Sequence, residues 1–405
     1  MLQYSHYVWE DTVCCSKLFF CTLLNKRITL ISKKNNSFGL HFNFFMLKYK
    51  LKRMSIMEYI GKNLKRIRLL KNLSLEKAGS LMNMTATAIA KYEKGLIIPN
   101  SEKLIEFANA YNVKVFDLLK VHNVPEMKFN AFRKKQRLKG QNLELLKEII
   151  QNKVSDYLEV IELNNIKPNN FKLKTYACNN INDAEEAANS FRINYKLSIN
   201  QPISDLISIL ENIGILIIQI DNINKKFSDF DGLSEIVNNV PVIVILKTND
   251  GARQRFTIAH ELGHLVLDIN NKQLDEEKMC HRFASSLLMP REAVIKEFGE
   301  KRDRISFYEL IAFKKEYKVS MNAIVYRLKD IKIITDHLFK KINIIFNINH
   351  IKKDEPEKIK SEESTQFARI VHKLETDNII SLNKACELLG VTSNEYKKQD
   401  NNYGY

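Results

Sequence analysis

A chain of 405 residues that is 45% hydrophobic and 27% charged is long enough for two or three domains and too apolar to be disordered throughout. No apolar run approaches a membrane span, and six cysteines without a CxxC pair or regular spacing argue against a disulfide scaffold and for a reducing, cytoplasmic setting. The net charge of +16 is unevenly placed: residues 1–140 hold 26 Lys and Arg against 9 Asp and Glu, and the rest holds 37 against 38. That polarity points to a nucleic-acid-binding end joined to a near-neutral body.

Residues 1–56 hold the only tryptophan and half the cysteines, and show no period. The run Leu18–Leu24 is too short to cross a bilayer and has no small-residue cleavage site after it. The stretch is read as a non-native start or a disordered extension, with Met54 or Met57 opening the working protein.

Residues 57–122 read as a domain of short amphipathic helices. Ile60, Leu64, Ile67 and Leu70 form one stripe, with Lys62, Lys65, Arg66 and Arg68 outside it. Ser74 can cap a helix over Ser74–Met82, Asn83 suits a turn, and Thr85 can cap a third helix ending at Gly95. A fourth runs from Ser101 through Ala110, and Val113–Leu119 closes the core. Helix, turn and helix in a basic unit is a DNA-binding pattern. The segment SLEKAGSLMNMTATAIAKYEKGLIIPN resembles the lambda-repressor-like (XRE) helix-turn-helix family, most strongly over Ile89–Gly95. It departs at Gly79, where Ala is usual, and at Asn83, where Gly is usual. The resemblance implies that Thr85, Ala86, Thr87, Ala90 and Lys91 face an operator in double-stranded DNA. Phosphate contacts are expected from Lys62, Lys65, Arg66, Lys91 and Lys94. Small outward residues limit direct readout to thymine methyls and a few hydrogen bonds.

Residues 123–189 read as a basic linker followed by an amphipathic helix. Asn130–Gln141 is a solvated tether or a DNA-backbone contact; Leu143–Leu163 is a spacer or a dimer contact, so a homodimer is an open expectation.

The chemistry lies in His260-Glu261-Leu262-Gly263-His264. On a helix the two histidines share one face at the ligand spacing of a zinc site, and Glu261 beside them can act as a general base on water. Ile258, Leu262, Leu265 and Val266 form an apolar stripe, so the helix is buried and its polar groups need partners. A third ligand is sought in the next helix, which starts at Glu276 and stops at Pro290. Glu277 is the first choice, with Glu276 and His281 as alternatives; Cys280, in an apolar stripe, is read as packing. A His/His/Glu set suits Zn²⁺ and could accept Mn²⁺ or Fe²⁺.

The runs RQRFTIAHELGHLVLD and EKMCHRFASSLLMP resemble the ImmA/IrrE family of zinc metallopeptidases over roughly residues 190–335. Pro202–Leu206, Gly214–Ile217 and Asp231–Ser234 fit it too. His281 stands where the family often has Asn or Asp. The resemblance implies that Glu277 completes the zinc site of His260 and His264. It also implies a protein substrate, often a repressor or antitoxin. The strand Pro241–Leu246 is expected to align a substrate peptide by edge pairing.

Residues 336–365 read as a charged linker and residues 366–405 as a small helical cap without a catalytic constellation. The expected fold is α+β and mostly helical: an all-α helix-turn-helix domain, then a zincin-like domain with a small sheet and an HExxH helix. The expected function is a DNA-binding regulator whose zinc endopeptidase domain cleaves a partner or itself. The alternative is a helix-turn-helix factor whose metal domain senses or binds without cleaving.

Overall fold

The computed structural model describes residues 59–120, 125, 127–129, 140–165, 173–271, 273–351 and 354–401. The expectations for residues 1–58 and for the basic run 130–139 lie outside the described residues. The chain divides into two compact units, Met1–Val121 and His122–Tyr405.

Among its described residues the first unit has helices and no strand. Helix α1 covers residues 59–70; α2 (Leu75–Leu81), α3 (Ala86–Glu93), α4 (Ser101–Tyr111) and α5 (Val115–Leu119) follow. Ser74 and Thr85 cap α2 and α3 as expected, each accepting a hydrogen bond from the backbone three residues on. Ile60, Leu64 and Ile67 are buried with Ile89, Phe107 and Leu118. Leu70 instead faces outward, and its neighbour Leu69, on the face opposite Ile67, is buried. Gly61 lets α1 close on α3: a Cβ there would meet the Glu93 and Tyr92 carbonyl oxygens at 2.6 and 2.8 Å. Arg68 locks the same corner, donating to both oxygens of buried Glu93 and to the Leu73 carbonyl.

The second unit contains the long helix α6 (Gly140–Leu163). Strand β1 (Tyr176–Cys178) pairs in parallel with β5 (Leu267–Ile269). Helices α7 (Ile181–Asn194) and α8 (Leu206–Ile213) lead to a three-stranded sheet. In it β2 (Leu216–Ile220) lies parallel to β4 (Val240–Leu246), and β3 (Gly232–Val237) lies antiparallel to β4, giving the order β2-β4-β3. The signature helix α9 (Gly251–Val266) and α10 (Glu276–Leu288) pack together, followed by α11 (Arg291–Phe298), α12 (Phe307–Tyr317), α13 (Met321–Asp330) and α14 (Asp336–Ile348). Three helices end the chain: α15 (Gln366–Thr376), α16 (Leu382–Leu389) and α17 (Ser393–Asn401).

Three expectations change. Strand β4 is central and paired on both sides, so it cannot accept a peptide at an edge; among the described residues β3 is paired on one side only. The apolar face of α6 is not presented to a second copy: Leu146, Ile150, Val154, Tyr157 and Val160 are buried in the single chain, Val160 in a core with Val371 and Leu374. The tract 336–365 is not a solvated tether. Its first part is α14, and residues 354–364 form a strap bonded along the body of the unit. Glu355 accepts from Lys314 and from the Met321 backbone, at 2.7 and 2.9 Å. Glu362 pairs with buried Arg255, and its carbonyl accepts from Gln219 and Gln254, both at 2.9 Å. The charges read as solvent-seeking because their partners lie far away in the chain.

Candidate functional site

Asp250 starts α9 by accepting from the Arg253 backbone. Helical spacing then places His260 and His264 on one face, toward α10. The approach depends on Gly263: a Cβ there would stand 3.2 Å from both Cα and Cβ of Cys280. Cys280 is thus a buried packing residue. Gly263→Ala is expected to destabilise the unit by about 1–3 kcal/mol through overpacking. Urea denaturation measures this; an unchanged midpoint would contradict the close packing.

Asp275 caps α10, and the last carbonyls of the helix are bonded by buried arginines: Leu287 by Arg192 at 2.8 Å and Met289 by Arg327 at 3.0 Å. This anchoring sets Glu277 opposite the histidines. His260 Nε2 lies 3.3 Å from Glu277 Oε2, and His264 Nε2 lies 3.8 Å from Glu277 Oε1. One ligand atom from each of the three residues lies within 4.8 Å of the others. Tetrahedral ligand atoms about 2.0–2.1 Å from zinc stand roughly 3.3 Å apart, so this donor set fits the ion. Glu276 accepts a hydrogen bond from the other ring nitrogen of His264, Nδ1, at 2.9 Å, which orients the ring rather than competing for the site. His281 lies against the ring of Phe256 and is tilted over His260 at 4.5 Å between centroids. It lines the cleft outside the three-residue cluster.

Glu261 lines the same cleft as the three ligand candidates and meets β3. Its carboxylate accepts from Ser234 Oγ at 2.7 Å. Burial pushes its pKa above the usual carboxylate range, while the Ser234 bond and the His264 charge oppose that rise. Strand alternation puts Gly232 and Ser234 on one face, and both meet Glu261. A Cβ at Gly232 would lie 2.9 Å from Glu261 Cγ. In the sequence, the Gly-x-Ser spacing on a strand is the signal that marks both residues. These groups line a cleft of 1490 Å³, bounded by β3, α9, α10, α13 and the strap near Glu355.

In the first unit, Thr85, Thr87, Lys91 and Lys94 are exposed along α3, whereas Ala86 and Ala90 are half-buried. Ile89 is in the core, as expected. On α1, Lys62 is exposed and Lys65 and Arg66 are half-buried.

Comparison with known families agrees with this architecture. Residues 64–118 match the helix-turn-helix model, and residues 210–329 match the IrrE N-terminal-like domain of the peptidase M78 type. No curated protein matches the chain. One solved structure it matches is PlcR of Bacillus thuringiensis in complex with the peptide PapR7 and DNA, at 12% identity over 83% of this chain and 82% of that one. The TM-score is 0.16, and no argument rests on that likeness. The chain joins an XRE-type helix-turn-helix to an IrrE N-terminal-like domain of metallopeptidase type.

Proposed function

We propose that this chain is a cytoplasmic DNA-binding regulator whose second domain is a zinc-dependent endopeptidase acting on a partner repressor, an antitoxin or the chain itself. The observation that carries this reading is the convergence of His260, His264 and Glu277 beside Glu261 in one cleft. The three ligands would hold Zn²⁺, which supplies Lewis-acid activation of water and of a scissile carbonyl. Glu261 takes a proton from water at its carboxylate and returns it to the leaving amine. Ser234 orients that carboxylate, and the buried wall around it excludes bulk water. An extended substrate would pair with the edge of β3, the strand that carries Gly232 and Ser234 into the cleft. Among the described residues no helix is long and apolar enough to cross a membrane, and Cys178, Cys280 and Cys386 are buried.

Metal content and cleavage test the enzyme, using a co-encoded repressor and the chain itself as substrates. Stoichiometric zinc in the native chain and in Glu261→Gln, with cleavage by the native chain only, is expected. Zinc in both without cleavage of either substrate would favour a non-cleaving sensor. For the DNA-binding unit, replacing Lys91 and Lys94 by alanine is expected to lower the slope of log affinity against log salt by about 2. An unchanged slope would remove both lysines from the phosphate contacts.

A further inference from the structure

The C-terminal helices repeat the design of the N-terminal helix-turn-helix. Displaced by 307 positions and without a gap, Ser381–Lys398 lies on Ser74–Lys91. Ser381-Leu382, Lys384-Ala385, Leu388, Thr392 and Lys398 repeat Ser74-Leu75, Lys77-Ala78, Leu81, Thr85 and Lys91. The backbone repeats with them. Ser74 and Ser381 each cap a helix, accepting from Lys77 N at 3.1 Å and Lys384 N at 3.3 Å. Each of these helices is followed by a left-handed residue, Asn83 at φ 51° and Gly390 at φ 67°. The next amide bonds back in the same way: Met84 N to Gly79 O at 2.9 Å, Val391 N to Cys386 O at 3.1 Å. Thr85 and Thr392 then accept from the amides of Ala88 and Glu395, at 3.2 and 3.3 Å.

The supporting core corresponds as well. Ala78 and Ala385 are buried where the first helix of each pair packs, and Ile89 and Tyr396 are buried under the second. Tyr396 is held by the ring of His372, stacked at 4.5 Å, and by Glu375 at 3.4 Å. The preceding helix, α1 or α15, is followed in both cases by a left-handed asparagine, Asn72 or Asn378. The amide after it bonds back to Arg68 O or Leu374 O, at 3.0 and 2.9 Å. The set α1–α3 and the set α15–α17 are therefore each a three-helix arrangement; the link from the asparagine to the capping serine is one residue longer in the second.

The outward face differs in a way that matters for binding. The positions equivalent to Thr85, Ala86, Thr87, Ala90 and Lys91 are Thr392, Ser393, Asn394, Lys397 and Lys398, all exposed. The small side chains of α3 become hydrogen-bonding and cationic groups on α17. Asparagine suits an adenine edge, and lysine suits guanine or phosphate. Glu395 does not dominate this face, since its carboxylate accepts from Thr392 N and Oγ1, both at 2.8 Å. We infer that residues 366–401 form a second helix-turn-helix whose α17 enters the major groove of duplex DNA, with Asn394 and Lys397 toward base edges and Lys398 toward phosphate.

The test uses the full chain and a random-sequence duplex of about three helical turns, with binding followed by fluorescence anisotropy across a salt series. Lys397→Ala with Lys398→Ala should lower the salt slope by about 1, for the phosphate contact of Lys398, both in the native chain and in one already carrying Lys91→Ala and Lys94→Ala. The paired Lys→Arg variants should restore it. Selection from a random duplex library should recover an adenine-containing element with the native chain and lose it with Asn394→Ala. An unchanged slope in both backgrounds would overturn the inference. So would a loss that arginine fails to restore, because it would mark a structural role. Persistence of the effect in the Lys91/Lys94 background separates this reader from the N-terminal one, whichever way the first unit behaves.

Discussion

The Glu261→Gln chain is expected to keep its metal and its fold while losing at least about 10²- to 10⁴-fold in turnover, the range supplied by a positioned general base. Glutamine matches glutamate in size, so the close contact with Gly232 is preserved and Ser234 still has an oxygen to donate to. What is lost is a group that can take a proton. His260, His264 and Glu277 are untouched, so zinc stoichiometry measured by plasma emission should equal that of the native chain. Replacing a buried ionisable group by a neutral one also removes a desolvation cost, so thermal stability should not fall. Turnover within threefold of native, on a substrate that the native chain cleaves, would rule Glu261 out as the base. Loss of zinc along with activity would make its role structural.

Removing the strap's anchor should have the largest effect on stability. Glu362 pairs with Arg255, which is buried and also donates to the Ile203 carbonyl at 2.7 Å. The second oxygen of Glu362 accepts from the Ile207 amide at 2.9 Å. Glu362→Ala leaves a guanidinium charge inside the unit, and breaking such a pair costs about 3–5 kcal/mol. At about 2–4 °C per kcal/mol, the midpoint of thermal unfolding should drop by roughly 6–20 °C. Pairing it with Arg255→Met should recover much of that loss, because the penalty lies in the uncompensated charge rather than in the missing bond. Calorimetry of the two variants decides the matter. A drop below about 2 °C for Glu362→Ala, less than 1 kcal/mol, would mean that the strap is only loosely held.

Much of this molecule is local and therefore legible residue by residue. The spacing of His260 and His264, the capping hydroxyls of Ser74 and Thr85, and the stop at Pro290 act over three or four positions. Glu277 was also within reach, because it sits in the first turn of the next helix, and helix geometry limits which of its neighbours can face α9. The similarity between Ser74–Lys91 and Ser381–Lys398 is equally present in the letters, but the shared capping and turn bonds are what identify it as one local design.

What the amino-acid order determined by itself was thus the helices, their caps, the one-face spacing of His260 and His264 and the basic polarity of the N-terminal third. Tertiary structure alone decided which strand forms an edge, that α6 buries its apolar face, and that a charged tract becomes a strap. It also decided that Ser234 serves Glu261 and that Glu362 neutralises Arg255, pairings 27 and 107 residues apart in the chain. The physical reason is range. Backbone preference and helical period act within a turn, whereas a polar side chain is solvated or buried according to which distant partner the packing brings within hydrogen-bond distance.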